Sequence, residues 1–374
     1  MKLTYFDVSK AWEIHIPPGR PVIKKSAEDL IHYLKLLRNQ AGLSLKPPVI
    51  QDQDTPMDCR HPRIFLQSEL NGPDHTGFFW HIEKSRIEIC GESDRGLCNG
   101  VFDFLKALGL SWPDLDHEVL PPAHNLNPQE YLPKETYGER RAQDTPIRRR
   151  VLLERHYPAS RWKSLLLWAV HNQIDTAVFS LYAGRGMRGY PHFSKELGDL
   201  VEKYALTIER GGWDLSIFVP RRYFLFNREM FRMDSGKRDG KINFCPTSPE
   251  AINLIRRKAE EIFRAYPETA VYHLWPDQGH ERSWCSCPTC RAFTLEEQGR
   301  IAVSTAADVL AEINPRGRIS FYEPSPGRGD IAVRPNLFKI SHLPGEAGAE
   351  AEGWFSTARF KPRALFLKRP ERES

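Results

Sequence analysis

Residues 284–291 read Trp-Cys-Ser-Cys-Pro-Thr-Cys-Arg, three thiols separated by one and by two residues. Thiolates at that spacing converge from a tight knuckle on one soft cation, and tetrahedral zinc then asks for a fourth ligand. Cys245, in Asn243-Phe244-Cys245-Pro246, is the predicted fourth member beside Cys285, Cys287 and Cys290, with His280 as the alternative. Closed by four protein ligands, such a zinc site is structural and pins two loops together; free thiols without metal are the competing reading. Cys59, Cys90 and Cys98, the rest of the seven, read as ordinary buried or partly buried thiols. An odd total does not suit a disulfide framework and fits a reducing compartment.

A second kind of chemistry belongs to carboxylates in aromatic and basic company. Asp277 follows Val271-Tyr272-His273-Leu274-Trp275-Pro276, an apolar stretch that ends in residues able to hold a carboxyl in a fixed, partly desolvated place. That setting raises a carboxyl pKa and suits general-acid work. Glu323, in Phe321-Tyr322-Glu323-Pro324, has a comparable setting, and Glu209 is the other candidate for the second carboxylate. Trp213 and Trp275 offer ring faces for stacking, Arg155 and Arg185 offer charge for substrate anions, and His156, Asp214, His273 and Tyr322 offer hydrogen bonds. Two carboxyls with stacking rings and polar groups are what a sugar site needs. Each residue alone has a plainer reading, because loop Asp and Glu are usually solvated or cap helices.

These residues acquire a common location once the elements that carry them are drawn. The first 125 residues pattern as a small α+β unit, with strands over 11–16, 63–66, 77–83 and 86–90, a helix capped by Ser26 and ended by Gly42, and a second helix over 100–108. A proline- and asparagine-rich linker is predicted over 126–139. From 140 to 340 strands alternate with amphipathic helices, the signature of parallel βαβ units. The predicted strands are 147–154, 174–181, part of 206–220, 269–275 and 318–322, and the helices 159–172, 194–204, 249–266 and 295–313, the third entered through Thr247 or Ser248 before Pro249. If this region is a (β/α) TIM-type barrel, its ligand lies at the carboxyl ends of the strands, and the residues named above fall there. A complete barrel takes about 250 residues, whereas only 51 follow Glu323. The expectation is an α/β chain whose barrel is shortened after about five strands, with two short strands over 337–340 and 364–367 and an irregular tail over 341–374.

Composition narrows the classes. The chain has 374 residues, 40% hydrophobic and 27% charged, which excludes collagen-like, fibrous and largely disordered proteins. Its net charge of +5 comes from interspersed residues, so neither nucleic acid nor a membrane surface is an expected partner. Asp7, Lys10 and Glu13 interrupt any apolar run at the start, and no window approaches the ~18 apolar residues of a membrane span, which predicts a cytoplasmic protein. No GxGxxG after a strand, GxxxxGK[ST] or HExxH is present, and no organic cofactor is expected.

Residues 27–34 (Ala-Glu-Asp-Leu-Ile-His-Tyr-Leu), Asp94-Arg95-Gly96-Leu97 and 108–112 (Leu-Gly-Leu-Ser-Trp) resemble the domain that precedes the barrel in β-hexosaminidase-like and α-glucuronidase-like glycoside hydrolases. Trp275-Pro276-Asp277-Gln278-Gly279, followed by the cysteine knuckle, looks like the bacterial family catalogued as domain of unknown function 4838. The resemblance covers residues 10–340 and implies a glycosidase-type barrel, an oligosaccharide or polysaccharide fragment as ligand, and Asp277 at the place of the general acid. Hexosaminidases proper carry an Asp-Glu pair there; Asp277-Gln278 lacks the second carboxylate needed for substrate-assisted catalysis through an N-acetyl group. The expected function is cleavage of a glycosidic bond by paired carboxylates. The alternatives are a non-catalytic glycan-binding or degenerate barrel with a zinc knuckle, and a zinc-stabilised interaction protein.

Overall fold

The computed structural model describes residues 12–40, 42, 49–52, 62–69, 71, 75–83, 86–122, 137–140, 149–153, 157–182, 194–276, 284–323, 333–342, 344 and 353–356. Among them no helix is long and apolar enough to cross a membrane.

The first unit is a six-stranded mixed sheet backed by two helices. Its strands are β1 (Glu13–Ile16), β2 (Val49–Asp52), β3 (Arg63–Ser68), β4 (Phe78–Glu83), β5 (Arg86–Gly91) and β6 (Tyr137–Arg140), in the order β2-β1-β3-β5-β4-β6. Alternation of apolar and polar residues in β4 and β5 puts Phe78, Trp80 and Ile82 with Ile87 and Ile89 on the covered face. Helix α1 (Pro21–Gln40) starts five residues before the predicted cap Ser26. Proline suits a first helical turn, and Ser26, inside the helix, returns its hydroxyl to the Val22 carbonyl at 3.0 Å. Helix α2 (Asp94–Ala107) also starts earlier than predicted, because Ser93 accepts from the Gly96 amide and Asp94 meets the positive end of the helix. Residues 137–140, predicted as the end of the linker and the first barrel residue, instead pair antiparallel with β4, so the first sheet claims them.

The second unit is a curled parallel sheet of seven strands. It contains β7 (Arg150–Leu153), β8 (Thr176–Phe179), β9 (Thr207–Gly212), β12 (Val271–Leu274), β13 (Arg318–Tyr322), β14 (Leu337–Ile340) and β15 (Trp354–Ser356). All five predicted barrel strands are present, and two more extend the sheet beyond the expected five. One of these, β14, has the predicted bounds; the other, β15, lies inside the predicted irregular tail, while 364–367 falls outside the described residues. The order β14-β13-β12-β9-β8-β7-β15 carries a consequence: the last described strand pairs parallel with the first strand of this sheet, through Trp354 opposite Arg150. That is how a (β/α) barrel returns on itself, and the described opening lies between β14 and β15. Between the strands run α3 (Trp162–His171), α4 (Lys195–Lys203), α5 (Pro249–Ala265) and α6 (Leu295–Ile313). Ser194 caps α4, Ser248 caps α5 ahead of Pro249, and Thr294 with Glu297 forms a reciprocal capping box on α6. Residues 213–248, expected in part to be strand, form 3-10 turns and a two-residue hairpin, β10 (Met233–Asp234) with β11 (Lys237–Arg238).

One apolar cluster runs from α1 and α2 through Trp112 into Leu165, Trp168 and Ile174, so the two units share a core. Buried Arg95 donates to the carbonyls of Ile174 at 2.9 Å and Tyr204 at 3.3 Å, fixing α2 against the amino end of β8. The opposite, carboxyl end of the sheet is left for other work.

Candidate active site and cysteine cluster

Period-two alternation sends Arg150, Glu209, His273 and Ser320 into the barrel from four strands. Glu209 accepts from Arg150 Nε at 2.7 Å and lies 2.8 Å from His273 Nε2, while His273 Nδ1 is 2.6 Å from Ser320 Oγ. Trp275 Nε1 donates to that same hydroxyl at 3.0 Å. One proton arrangement satisfies every group: Trp275 to Ser320, Ser320 to His273, His273 to Glu209, with Arg150 on the carboxylate. Burial alone would raise the Glu209 pKa, but the Arg150 charge and the His273 bond outweigh it and hold the carboxyl well below its usual range. Burial pushes the His273 pKa down, so the imidazole is neutral, as the chain of bonds requires. Two glycines make the crossing possible: Gly211 and Gly212 have φ of +115° and +131°, and a Cβ on Gly211 would collide with the His273 carbonyl.

Trp275, just past the carboxyl end of β12, is fully buried and meets Trp213 edge-on at 5.6 Å and Trp354, the first residue of β15, at 5.1 Å. Leu152, Val178, Tyr322 and Ile340 complete that cluster, with half-buried Trp213 and Phe338 packed on it. Asp214 is buried and accepts the Leu181 amide at 2.7 Å, tying the ends of β8 and β9 together. Glu323, immediately after β13, is buried and takes Arg300 Nε of α6 at 2.8 Å.

The structure therefore brings Glu209, Trp213, Asp214, His273, Trp275, Tyr322 and Glu323 to one end and one interior of one sheet. Asp277, Arg155, His156 and Arg185 lie outside the described residues. Among those placed, Glu209 and His273 sit within the barrel wall's interior network, and Trp275 is a pillar of the cluster beside it, with its ring covered by other rings. Sequence reasoning missed four participants. Arg150 stands in a run of three arginines that reads as a solvated face; Ser320 carries no special signal; Arg300 lies on a helix; and Trp354 sits on a strand too short to register as one.

Cys245, Cys285, Cys287 and Cys290 are buried together, their sulfurs all within 4.8 Å of one another, and could hold a metal ion. Cys245 joins the three knuckle cysteines as the predicted fourth member; the alternative, His280, lies outside the described residues. Cys245 lies 3.9 Å from Cys287 and 3.7 Å from Cys290. Hydrogen bonds from Cys285 and Cys290 favour a thiolate on Cys245.

No family model matches the chain, and no curated protein matches it. Solved structures do share its fold. The chitobiase of Flavobacterium johnsoniae superposes with a TM-score of 0.54 at 12% identity over 95% of this chain and 54% of its own. The GH20 β-N-acetylhexosaminidase of Streptomyces coelicolor gives 0.52 at 14% identity over 94% of this chain and 69% of its own. The N-acetyl-β-hexosaminidase of Streptomyces plicatus, in complex with thio-NAglucal, gives 0.53 at 12% identity over 94% and 69%. The chain thus has a glycoside-hydrolase-like fold, and spans about half the length of the chitobiase.

Proposed function

We propose that the chain is a carbohydrate-active protein of the glycoside hydrolase type that binds an oligosaccharide or polysaccharide fragment at the carboxyl ends of its barrel strands. The observation that carries this reading is the strand-end assembly of Trp213, Trp275, Tyr322, Asp214 and Glu323 in one curled parallel sheet, since ligands of such barrels bind at that face. Asp277, two residues after the buried Trp275, is assigned as the general acid. Glu323 is preferred over Glu209 as the second carboxylate, because Glu209 lies in the barrel interior while Glu323 leaves the end of β13. Arg155, His156 and Arg185, from the segments after the first two barrel strands, are assigned to substrate. The fold is shared with enzymes named for N-acetylhexosaminides, so sugars of that class are the first probes. Asp277-Gln278 in place of Asp-Glu argues for a mechanism that does not recruit an N-acetyl group. The cysteine cluster is assigned to structural zinc, and its thiols suit a reducing, cytoplasmic setting.

One observation favours a second reading. Glu209 and Glu323 are both buried and held by arginines, an arrangement that suits a non-catalytic glycan-binding barrel as well. A panel of aryl glycosides, including N-acetyl-β-glucosaminide and β- and α-glucuronide, separates the two. Turnover abolished by Asp277→Asn supports the enzyme; binding of the corresponding sugars by calorimetry without turnover supports the second reading; neither turnover nor binding overturns both.

A further inference from the structure

We propose that one zinc ion, held as a closed tetrathiolate by Cys245, Cys285, Cys287 and Cys290, is the fastener that keeps the hairpin end of the 36 residues between β9 and α5 seated on the segment leading into α6. This rests on the zinc reading above and assigns the ion a local structural task.

The sulfur positions fit one ion. Tetrahedral zinc with Zn–S bonds of about 2.3 Å places its sulfurs about 3.8 Å apart. The separations of 3.9 and 3.7 Å from Cys245 match that edge. With all four sulfurs inside 4.8 Å there is no space for a polynuclear iron–sulfur cluster, whose cysteines bind different irons. Four thiolates around a divalent ion carry a net charge of −2, which a buried site must offset. The surroundings supply donors aimed at sulfur: the Met233 amide 3.2 Å and the Cys287 amide 3.5 Å from Cys285 Sγ, and Arg238 Nη1 at 3.8 Å. The Thr247 hydroxyl lies 3.1 Å from Cys290 Sγ. Outer-shell donors of this kind are what hold thiolate ligands in place.

The task follows from topology. Within residues 213–248, Leu215, Ile217, Phe218, Val219, Met230 and Phe231 pack into an apolar cluster with α5 and β12. Residues 232–243 add nothing to that cluster and have only the two pairs of the β10–β11 hairpin as their ladder, so this part needs another restraint. The hairpin docks on the knuckle: Ser286 donates its amide and its hydroxyl to the Met233 carbonyl, both at 2.8 Å. The knuckle is in turn fixed to α6, since Gln298 accepts the Cys285 amide at 3.0 Å and donates to the Cys290 carbonyl at 3.1 Å. Cys245 stands at the far end of the excursion, just before α5, so the ion ties its return end to the same helix-anchored knuckle. The core shared by the two units is a separate cluster from the four cysteines, whereas Phe244 and Trp284, beside Cys245 and Cys285, pack with β12 and β13.

The test uses the whole chain in two steps. Elemental analysis of purified protein is expected to give about one zinc per chain, falling at least about tenfold in Cys290→Ser and unchanged in Cys90→Ser, whose thiol lies on β5. Absence of metal with all seven thiols titratable, or iron in place of zinc, overturns the ion. Hydrogen exchange is then compared before and after stripping the wild-type chain with a strong chelator, which keeps the test informative if the serine variant does not fold. Amides of 232–248 and 284–294 are expected to exchange at least about a hundredfold faster while α2, β7 and β8 keep their protection. Zinc present but with unchanged exchange in those segments, or equal loss of protection throughout the chain, overturns the fastener.

Discussion

His273 donates its Nε2 proton to Glu209 across 2.8 Å of barrel interior, and neither side chain touches solvent. The bond joins β12 to β9, and Arg150 and Ser320 extend it to β7 and β13, so four of the seven strands are tied by side chains as well as by their ladders. Removing one member of a buried ionic network leaves the others desolvated and unpaired, which costs more than the network contributes while intact. Glu209→Ala is therefore expected to lower stability by about 3–5 kcal/mol, while Glu209→Gln, which still accepts from His273, costs about 1–2 kcal/mol. Urea titration checks the order; equal losses in the two variants would show that the charge is immaterial.

The junction between the units provides a second expectation. Asn99 of α2 donates at 2.7 Å to Asp175, the residue before β8, with both side chains buried. Because the apolar core is continuous across this contact, the two units are expected to unfold in one transition. Asn99→Ala should lower its midpoint by the equivalent of about 1–3 kcal/mol without splitting it. Near-ultraviolet dichroism and far-ultraviolet dichroism would then remain superimposable; two separated transitions in the wild-type chain would contradict a shared core.

His171 at the same junction sets a pH dependence. Its ring packs against Phe102 and Trp112 at 4.9 and 4.8 Å, and burial, aided by Lys106 and Lys25, pushes its pKa down from 6.5 to about 3. Below about pH 6.5 the unfolded chain binds a proton that the folded chain refuses until about pH 3. Stability is thus complete above pH 6.5 and declines as the pH falls through that window. A wholly enclosed group would lose about 1.4 kcal/mol per pH unit; part of this residue reaches solvent, so about 0.5–1 kcal/mol per unit is expected. His171→Phe should shrink the stability difference between pH 7.5 and 5 by about 1–1.5 kcal/mol, read from urea midpoints; an unaltered difference would place the titration elsewhere.

Legibility in the sequence varied with how local the cause was. Ser248-Pro249-Glu250 marks the start of α5 because capping is decided within one turn; three thiols at the knuckle spacing leave one coordination position open, and Cys245, on the loop after the preceding barrel strand, is in place to fill it. Ser26 misled because a good cap residue is also tolerated inside a helix when its hydroxyl bonds back to the preceding turn. Strand β15 was invisible for the opposite reason: Trp354–Ser356 has three residues and no alternation, and it becomes a strand only because Arg150–Leu152 present an edge to it. Glu209 read as a site residue because a carboxylate near a strand end looks the same in sequence whether it faces ligand or an arginine on another strand.

The same distinction separates Trp213 from Trp275, which the sequence offers as equivalent stacking faces. Trp275 is fully buried, ringed by His273, Trp213 and Trp354, and its indole nitrogen is committed to Ser320. Trp213 is only half-buried and packs at the edge of that group. Trp275→Ala empties a core position and is expected to cost about 3–5 kcal/mol of stability, taking any sugar affinity with it. Trp213→Ala should leave the unfolding midpoint nearly unchanged while weakening sugar binding about tenfold, the loss of one stacking surface worth about 1–1.5 kcal/mol. Calorimetric titration of each folded variant with the sugar that binds best to the wild type, set beside its urea midpoint, distinguishes the roles. Unchanged affinity in Trp213→Ala would remove this residue from the sugar site and leave the carboxyl-end layer as packing alone.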